Sequence, residues 1–141
     1  MVDNDDNSKD PLQQLLADDA RSIDRHRLAN FLKEYIRFDR ATQELHCLNG
    51  FEKIDSNDLK IAVVLLAAKA RALIFDQVND AMSPIEIIKL EIMPEGSVKS
   101  AVKRLFDSRK IKKSSDGKYF IPNYSVGNII AEVSGEEGNH V

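Results

Sequence analysis

The chain has 141 residues, 20 Lys+Arg against 23 Asp+Glu, and a formal net charge of −3. That length predicts one domain with tails, burying roughly 65–70% of its unfolded surface without help from a metal or a disulfide. A lone cysteine, Cys47, excludes an internal disulfide framework and a multi-cysteine zinc site, and fits a reducing compartment.

Met1 to Asp10 is acidic and polar, with no basic-then-apolar signal. The longest apolar run, Ile61 to Ala68, is too short for a bilayer and is flanked by Lys60, Lys69 and Arg71. These features predict a soluble cytoplasmic protein with no membrane association.

Residues 1–21 read as an acidic, disordered tail, in which Leu12, Leu15 and Leu16 form one apolar helical turn. Residues 22–54 read as a helix followed by a small hairpin. Ser22 is placed as the N-cap and Asp24 in the first turn. Leu28, Phe31, Leu32, Tyr35 and Ile36 then recur at three- and four-residue steps, an apolar stripe that packs within the chain or against a second copy. IRFD and LHCL, around Arg40-Ala41-Thr42-Gln43, predict two strands and a turn over 36–48, and Asn49-Gly50 a turn or loop.

Residues 55–134 read as a second unit. Asp55-Ser56-Asn57-Asp58 starts a helix that is apolar on nearly every side through Asp76, so it must be covered on every side. Ser83-Pro84-Ile85-Glu86 is a capping box with proline at the first helical position. Ile85, Ile87, Ile88, Leu90 and Ile92 are expected to supply that helix's core. Pro94-Glu95-Gly96-Ser97 closes a turn, with Gly96 expected to permit a close approach or an unusual backbone angle. A helix over about 95–109 follows. Val98, Ala101, Val102 and Leu105 line one face; Lys99, Ser100, Lys103 and, at the edge, Arg104 line the other.

Ile111-Lys112-Lys113 and Lys118-Tyr119-Phe120-Ile121 read as short strands around Ser114-Ser115-Asp116-Gly117, a good hairpin loop. Asn123 or Ser125 is expected to cap a last helix through Ile129, Ile130 and Val133. Residues 135–141 read as a disordered tail. Charge is unevenly spread: Glu95 to Pro122 carries eight cations and three anions, a local +5, whereas Met1 to Asp24 carries two cations and seven anions, a local −5. A basic island between acidic ends can hold phosphate on an acidic protein. It can equally be a solvated surface, with Lys103 and Asp107 simply paired four residues apart.

Ser83 to Pro122 resembles the winged helix-turn-helix superfamily of prokaryotic transcription regulators. PEGSVKSAVKRL is similar to the promoter-reading helix of sigma factors, with Ser97 where their pattern has Thr. Ile121-Pro122-Asn123-Tyr124 resembles the ending of small archaeal winged-helix proteins. The resemblance covers roughly half the chain and implies an α+β, mostly α fold: a winged helix-turn-helix with an added N-terminal amphipathic helix and hairpin. It implies double-stranded DNA binding, sequence-specific or general, in transcription regulation by a homodimer. Lys99, Ser100, Lys103 and Arg104 would meet the major groove. Ser97 and the helix N-terminus would hold a phosphate. Lys112, Lys113 and Lys118 would position the backbone. The rival expectation is a winged helix that binds protein within a larger assembly. The acidic N-terminus is further expected to fold over the basic surface and compete with DNA.

No P-loop, GxGxxG, HExxH or nucleophile elbow occurs, and His26, His46 and His140 are scattered. His46 reads as a partly exposed strand residue and Cys47 as a small core residue. No enzyme activity, cofactor or metal is expected, and no pattern suggests a ligand pocket.

Overall fold

The computed structural model describes residues 10–15, 23–76 and 79–135. The tails expected to be disordered, including the acidic segment expected to cover the basic surface, fall largely on 1–9, 16–22 and 136–141, outside the described residues. Pro11–Leu15 is a 3-10 turn that leaves Leu12 and Leu15 exposed.

The first helix, α1, spans Arg25–Leu32. Its cap is Asp24, whose carboxylate accepts the Arg27 amide at 3.0 Å; Ser22, the expected cap, lies outside the described residues. The helix stops at Leu32, short of the apolar stripe. Tyr35 sits in the turn, donating its amide to the Leu32 carbonyl, and Ile36 opens a strand yet is buried with Leu28, Phe31 and Leu32. Arg37 helps the exit, because its Nη1 donates to the carbonyls of Lys33 and Ile36 and so satisfies acceptors left at the helix end.

Strands β1 (Ile36–Phe38) and β2 (Leu45–Cys47) pair antiparallel, with Arg37 opposite His46. The loop lacks Asn-Gly and is closed by Asp39 instead. The Asp39 carboxylate accepts the amides of Ala41 and Thr42, and Gln43 turns the chain back at φ 66°. Cys47 is exposed rather than a core residue. Asn49-Gly50 does not form a loop but opens a short helix, α2 (Asn49–Glu52). Gly50 is needed there because a Cβ would collide with the Glu34 carbonyl oxygen.

Helix α3 (Asn57–Ile74) is capped by Ser56, whose Oγ accepts the Leu59 amide. Every residue from Ile61 to Ala70 is buried. Helix α1 packs on α3, and so do three later segments, Glu95–Asp107, Tyr119–Phe120 and Val126–Ser134. This cover explains why a helix apolar all round is stable here. Each fully buried Leu or Ile on it contributes about 1.5–3 kcal/mol. Lys69 is the exception in this run, a buried cation held by Asp80 and Asn123.

The capping box at Ser83 forms in full: Ser83 Oγ accepts the Glu86 amide and Glu86 Oε1 accepts the Ser83 amide. It starts α4 (Pro84–Ile88), which ends after five residues. Of the apolar residues expected in its core, Ile87 is fully buried and Ile88, Leu90 and Ile92 are partly buried, but Ile85 is 64% exposed. The chain reverses through Glu91 at φ 57° and enters α5 (Glu95–Asp107). Gly96 has no left-handed backbone angle, and a Cβ there would meet nothing within 4 Å. The unusual angle in this turn belongs to Glu91.

Strands β3 (Lys112–Lys113) and β4 (Tyr119–Phe120) form the second antiparallel hairpin. Tyr119 also exchanges two backbone hydrogen bonds with Met82, just before α4, at 2.9 and 2.8 Å. A 3-10 turn (Asn123–Ser125) leads into α6 (Val126–Ser134), which closes at Gly135 with φ 78°. Of the two expected caps, Ser125 occupies the N-cap position of α6 but makes no side-chain capping bond, and Asn123 Oδ1 accepts from Lys69 instead. The result is an α+β fold dominated by helix, with two small hairpins and one core cluster running from Ile23 to Ile130. Among the described residues no helix is long and apolar enough to cross a membrane.

Candidate nucleic-acid interface

The helical period divides α5 cleanly. Val98, Ala101, Val102 and Leu105 are buried, whereas Lys99, Ser100, Lys103 and Arg104 are exposed. The exposed stripe is thus as expected from the sequence, with half-buried Ser97 at its start. The N-cap position is Pro94, and no side chain caps the helix there. The amides of the first turn have no earlier helical carbonyl to bond, which leaves a weakly positive end. Glu95 sits in that same turn and partly offsets it.

Each cation on α5 has an intramolecular carboxylate partner. Lys99 lies 3.0 Å from Glu95, and Lys103 lies 2.9 Å from Asp107. The bond to Asp107 raises the Lys103 pKa. Both pairs join exposed side chains four residues apart, so each is weak and exchanges readily for another anion. Arg104 differs. Its Nε and Nη2 reach the Asp58 carboxylate at 2.7–3.1 Å, a fork that ties α5 to the first turn of α3. Hydrogen bonding to Asp58, then its charge, raises the Arg104 pKa.

The hairpin carries the remaining expected residues. Lys112 faces Phe120 and Lys113 faces Tyr119 across the ladder. The Lys112 ammonium lies 5.5 Å from the Tyr124 ring centre, and that of Lys113 5.8 Å from Tyr119. Neither forms an ion pair among the described residues. The loop is closed by Gly117 at φ 83° and by Ser114, whose hydroxyl bonds Asp116. That bond holds the Asp116 carboxyl below its usual range. Lys118 turns toward α4, with its ammonium 3.6 Å from Glu86. Tyr119 packs edge-on against Phe106 of α5, with ring centres 5.8 Å apart. The two rings join the hairpin to the C-terminal half of α5.

Arg109 is one of the eight cations of the basic segment but is not among the side chains expected to contact DNA. It follows α5 at φ 67°, is exposed, and has no ion pair among the described residues. The carboxylates that enter this surface from elsewhere were not expected either. Asp58, Glu86 and Glu132 pair with Arg104, Lys118 and Lys110, so five of the eight cations of the basic segment meet a carboxylate, three of them one from outside the segment. These carboxylates lie 22 to 46 residues from their cations in sequence and share no local pattern. Among the described residues no group of three His, Cys, Asp or Glu side chains could hold a metal. Comparison with known proteins gives no match to a family model, a curated protein or a solved structure.

Proposed function

We propose that residues 55–134 are a winged helix-turn-helix domain that binds double-stranded DNA and serves in transcription regulation as a homodimer. The order supports it: long helix, one-residue bridge at Met82, short helix, turn, second helix, hairpin. In this reading α5 lies in the major groove, with Lys99, Ser100 and Lys103 toward base edges and Ser97 near a phosphate. Lys112, Lys113 and Arg109 hold the backbone. Arg104 stays on Asp58 and orients the helix, while Lys118 stays near Glu86. Two copies would read half-sites roughly 34 Å apart.

The observation that carries this reading is the joined surface: an exposed Lys-Ser-Lys stripe, linked through Phe106 and Tyr119 to two lysines without carboxylate partners among the described residues. A second reading has a specific observation behind it. The carboxylates that meet five of the eight cations would lower the attraction for phosphate and suit a protein-binding winged helix.

Fluorescence anisotropy with labelled random-sequence duplex at two salt concentrations separates the two. DNA binding predicts micromolar affinity that weakens steeply with salt. Lys112→Ala with Lys113→Ala then lowers the log–log slope by about 0.9 for each phosphate no longer neutralised. Absence of binding at low salt would sink the DNA reading in favour of the protein-binding one.

A further inference from the structure

Between α1, β1 and the C-terminal end of α3 runs a groove of about 830 Å³. This lies within the range of small-molecule sites. No sequence pattern signals it, because its walls come from segments more than thirty residues apart. Leu28, Leu32, Ile36, Phe38, Leu73 and Ile74 supply apolar surface. Most of these are wholly or partly buried in the core, but Ile74 stays 58% exposed at the mouth.

The groove's charged residues are mostly of one sign. Arg25 and Lys33 line it, exposed and without ion pairs among the described residues, and Arg37 lines it with its Nη1 already fixed on two carbonyls. Asp24 is also there, but its carboxylate is occupied as the cap of α1. An apolar trough with cations in excess at its edge fits a molecule with a hydrocarbon body and an anionic head. It does not fit a second copy placed symmetrically over it, because Arg25, Lys33 and Arg37 of both copies would then be pressed together.

We propose that this groove binds an amphipathic carboxylate, an aliphatic acid of medium or long chain. The hydrocarbon lies along Leu28, Leu32 and Ile74, and the carboxylate pairs with the cation at one end of α1, Arg25 or Lys33. The site is independent of the DNA reading, since it stands on α1 and the far end of α3 rather than on α5 or the second hairpin.

Sodium decanoate, below its micelle concentration, is titrated into the full chain by calorimetry, with decanol and decyltrimethylammonium as neutral and cationic controls of equal chain length. The expected result is saturable one-to-one decanoate binding with Kd of about 10–100 μM. Arg25→Gln with Lys33→Gln weakens decanoate by about fivefold or more and leaves decanol unchanged. Ile74→Asp, at an exposed position that keeps the fold, weakens both. Circular dichroism of each variant confirms that it is folded. Three results would each overturn the proposal: no saturable binding, equal binding of decanoate and the ammonium analogue, or a chain that sediments as a dimer and is dissociated by Ile74→Asp.

Discussion

The Lys69 ammonium lies 2.5 Å from an Asp80 carboxylate oxygen, and Asn123 Oδ1 sits at the same distance from it. The lysine side chain is 4% exposed and the aspartate 27%. One cation in the middle of α3 thereby fastens the approach to Met82 and the exit from β4. Removing one partner of a buried pair costs far more than replacing both. Asp80→Ala should therefore destabilise the protein by about 3 kcal/mol in urea unfolding. Lys69→Met combined with Asp80→Asn should recover most of that loss. A double variant no more stable than Asp80→Ala would show that the loss does not come from a stranded Lys69 charge.

Gly96 and Gly50 should respond oppositely to alanine. Gly96 lies in the first turn of α5 with open space around its Cα, so Gly96→Ala should raise stability by about 0.5–1 kcal/mol. Gly50→Ala would drive a methyl into the Glu34 carbonyl and should cost about 1–3 kcal/mol. Thermal unfolding of the two variants checks both signs.

Local signals are legible in the sequence. The Ser83 box, the buried face of α5, the first hairpin's strands and the Gly117 loop all rest on interactions within a few residues or on a simple period. What stays hidden depends on distance. Ile36 keeps the helical spacing of α1 but is claimed by β1, because pairing with Cys47 outweighs one more helical turn. Asn123 has the character of a cap, yet a buried lysine 54 residues away takes its oxygen. The exposed stripe from Lys99 to Arg104 follows from its period. The carboxylates of Asp58 and Glu86 beside it do not, since nothing local aims them there. Glu91, at a left-handed angle without being glycine, carries no sequence signal at all.

Acid should weaken the fold through its bonded carboxylates. The Ser83 backbone N–H, more than the charge of Lys118, holds the Glu86 carboxyl below its ordinary value. The amides of Thr42 and Ala41 do the same for Asp39. In each case the unfolded chain takes up its proton at higher pH than the folded one. The stabilisation is therefore complete above the usual carboxylate range and fades as pH falls through the depressed folded values. Tm should hold steady from pH 7 to about 5.5 and then fall. Glu86→Gln should lower Tm slightly at pH 7, with the difference from the parent protein shrinking by about pH 3.

Asp58 restrains Arg104 at the edge of the exposed α5 stripe. Asp58→Asn removes its charge and loosens the fork on Arg104, which can then reach a phosphate. If α5 binds DNA, this variant should bind random duplex more tightly, with a steeper salt slope by up to about 0.9. Its cost in stability should be small, since the Arg104 end of the fork is exposed to solvent, although Asp58 also favours the start of α3. Weaker binding by this variant would mean that the fork's orientation of α5 matters more than the freed charge.

The two backbone hydrogen bonds between Met82 and Tyr119 close the intervening chain, with α4, α5 and β3, into a ring. A two-residue ladder such as β3–β4 has little persistence of its own. Anchored to Met82, and through Phe106 to α5, it opens only when the ring opens. The amide protons of Met82 and Tyr119 should therefore exchange with solvent at a rate close to those in the middle of α3. The hairpin's reach toward any partner is set by the helices rather than by the hairpin itself.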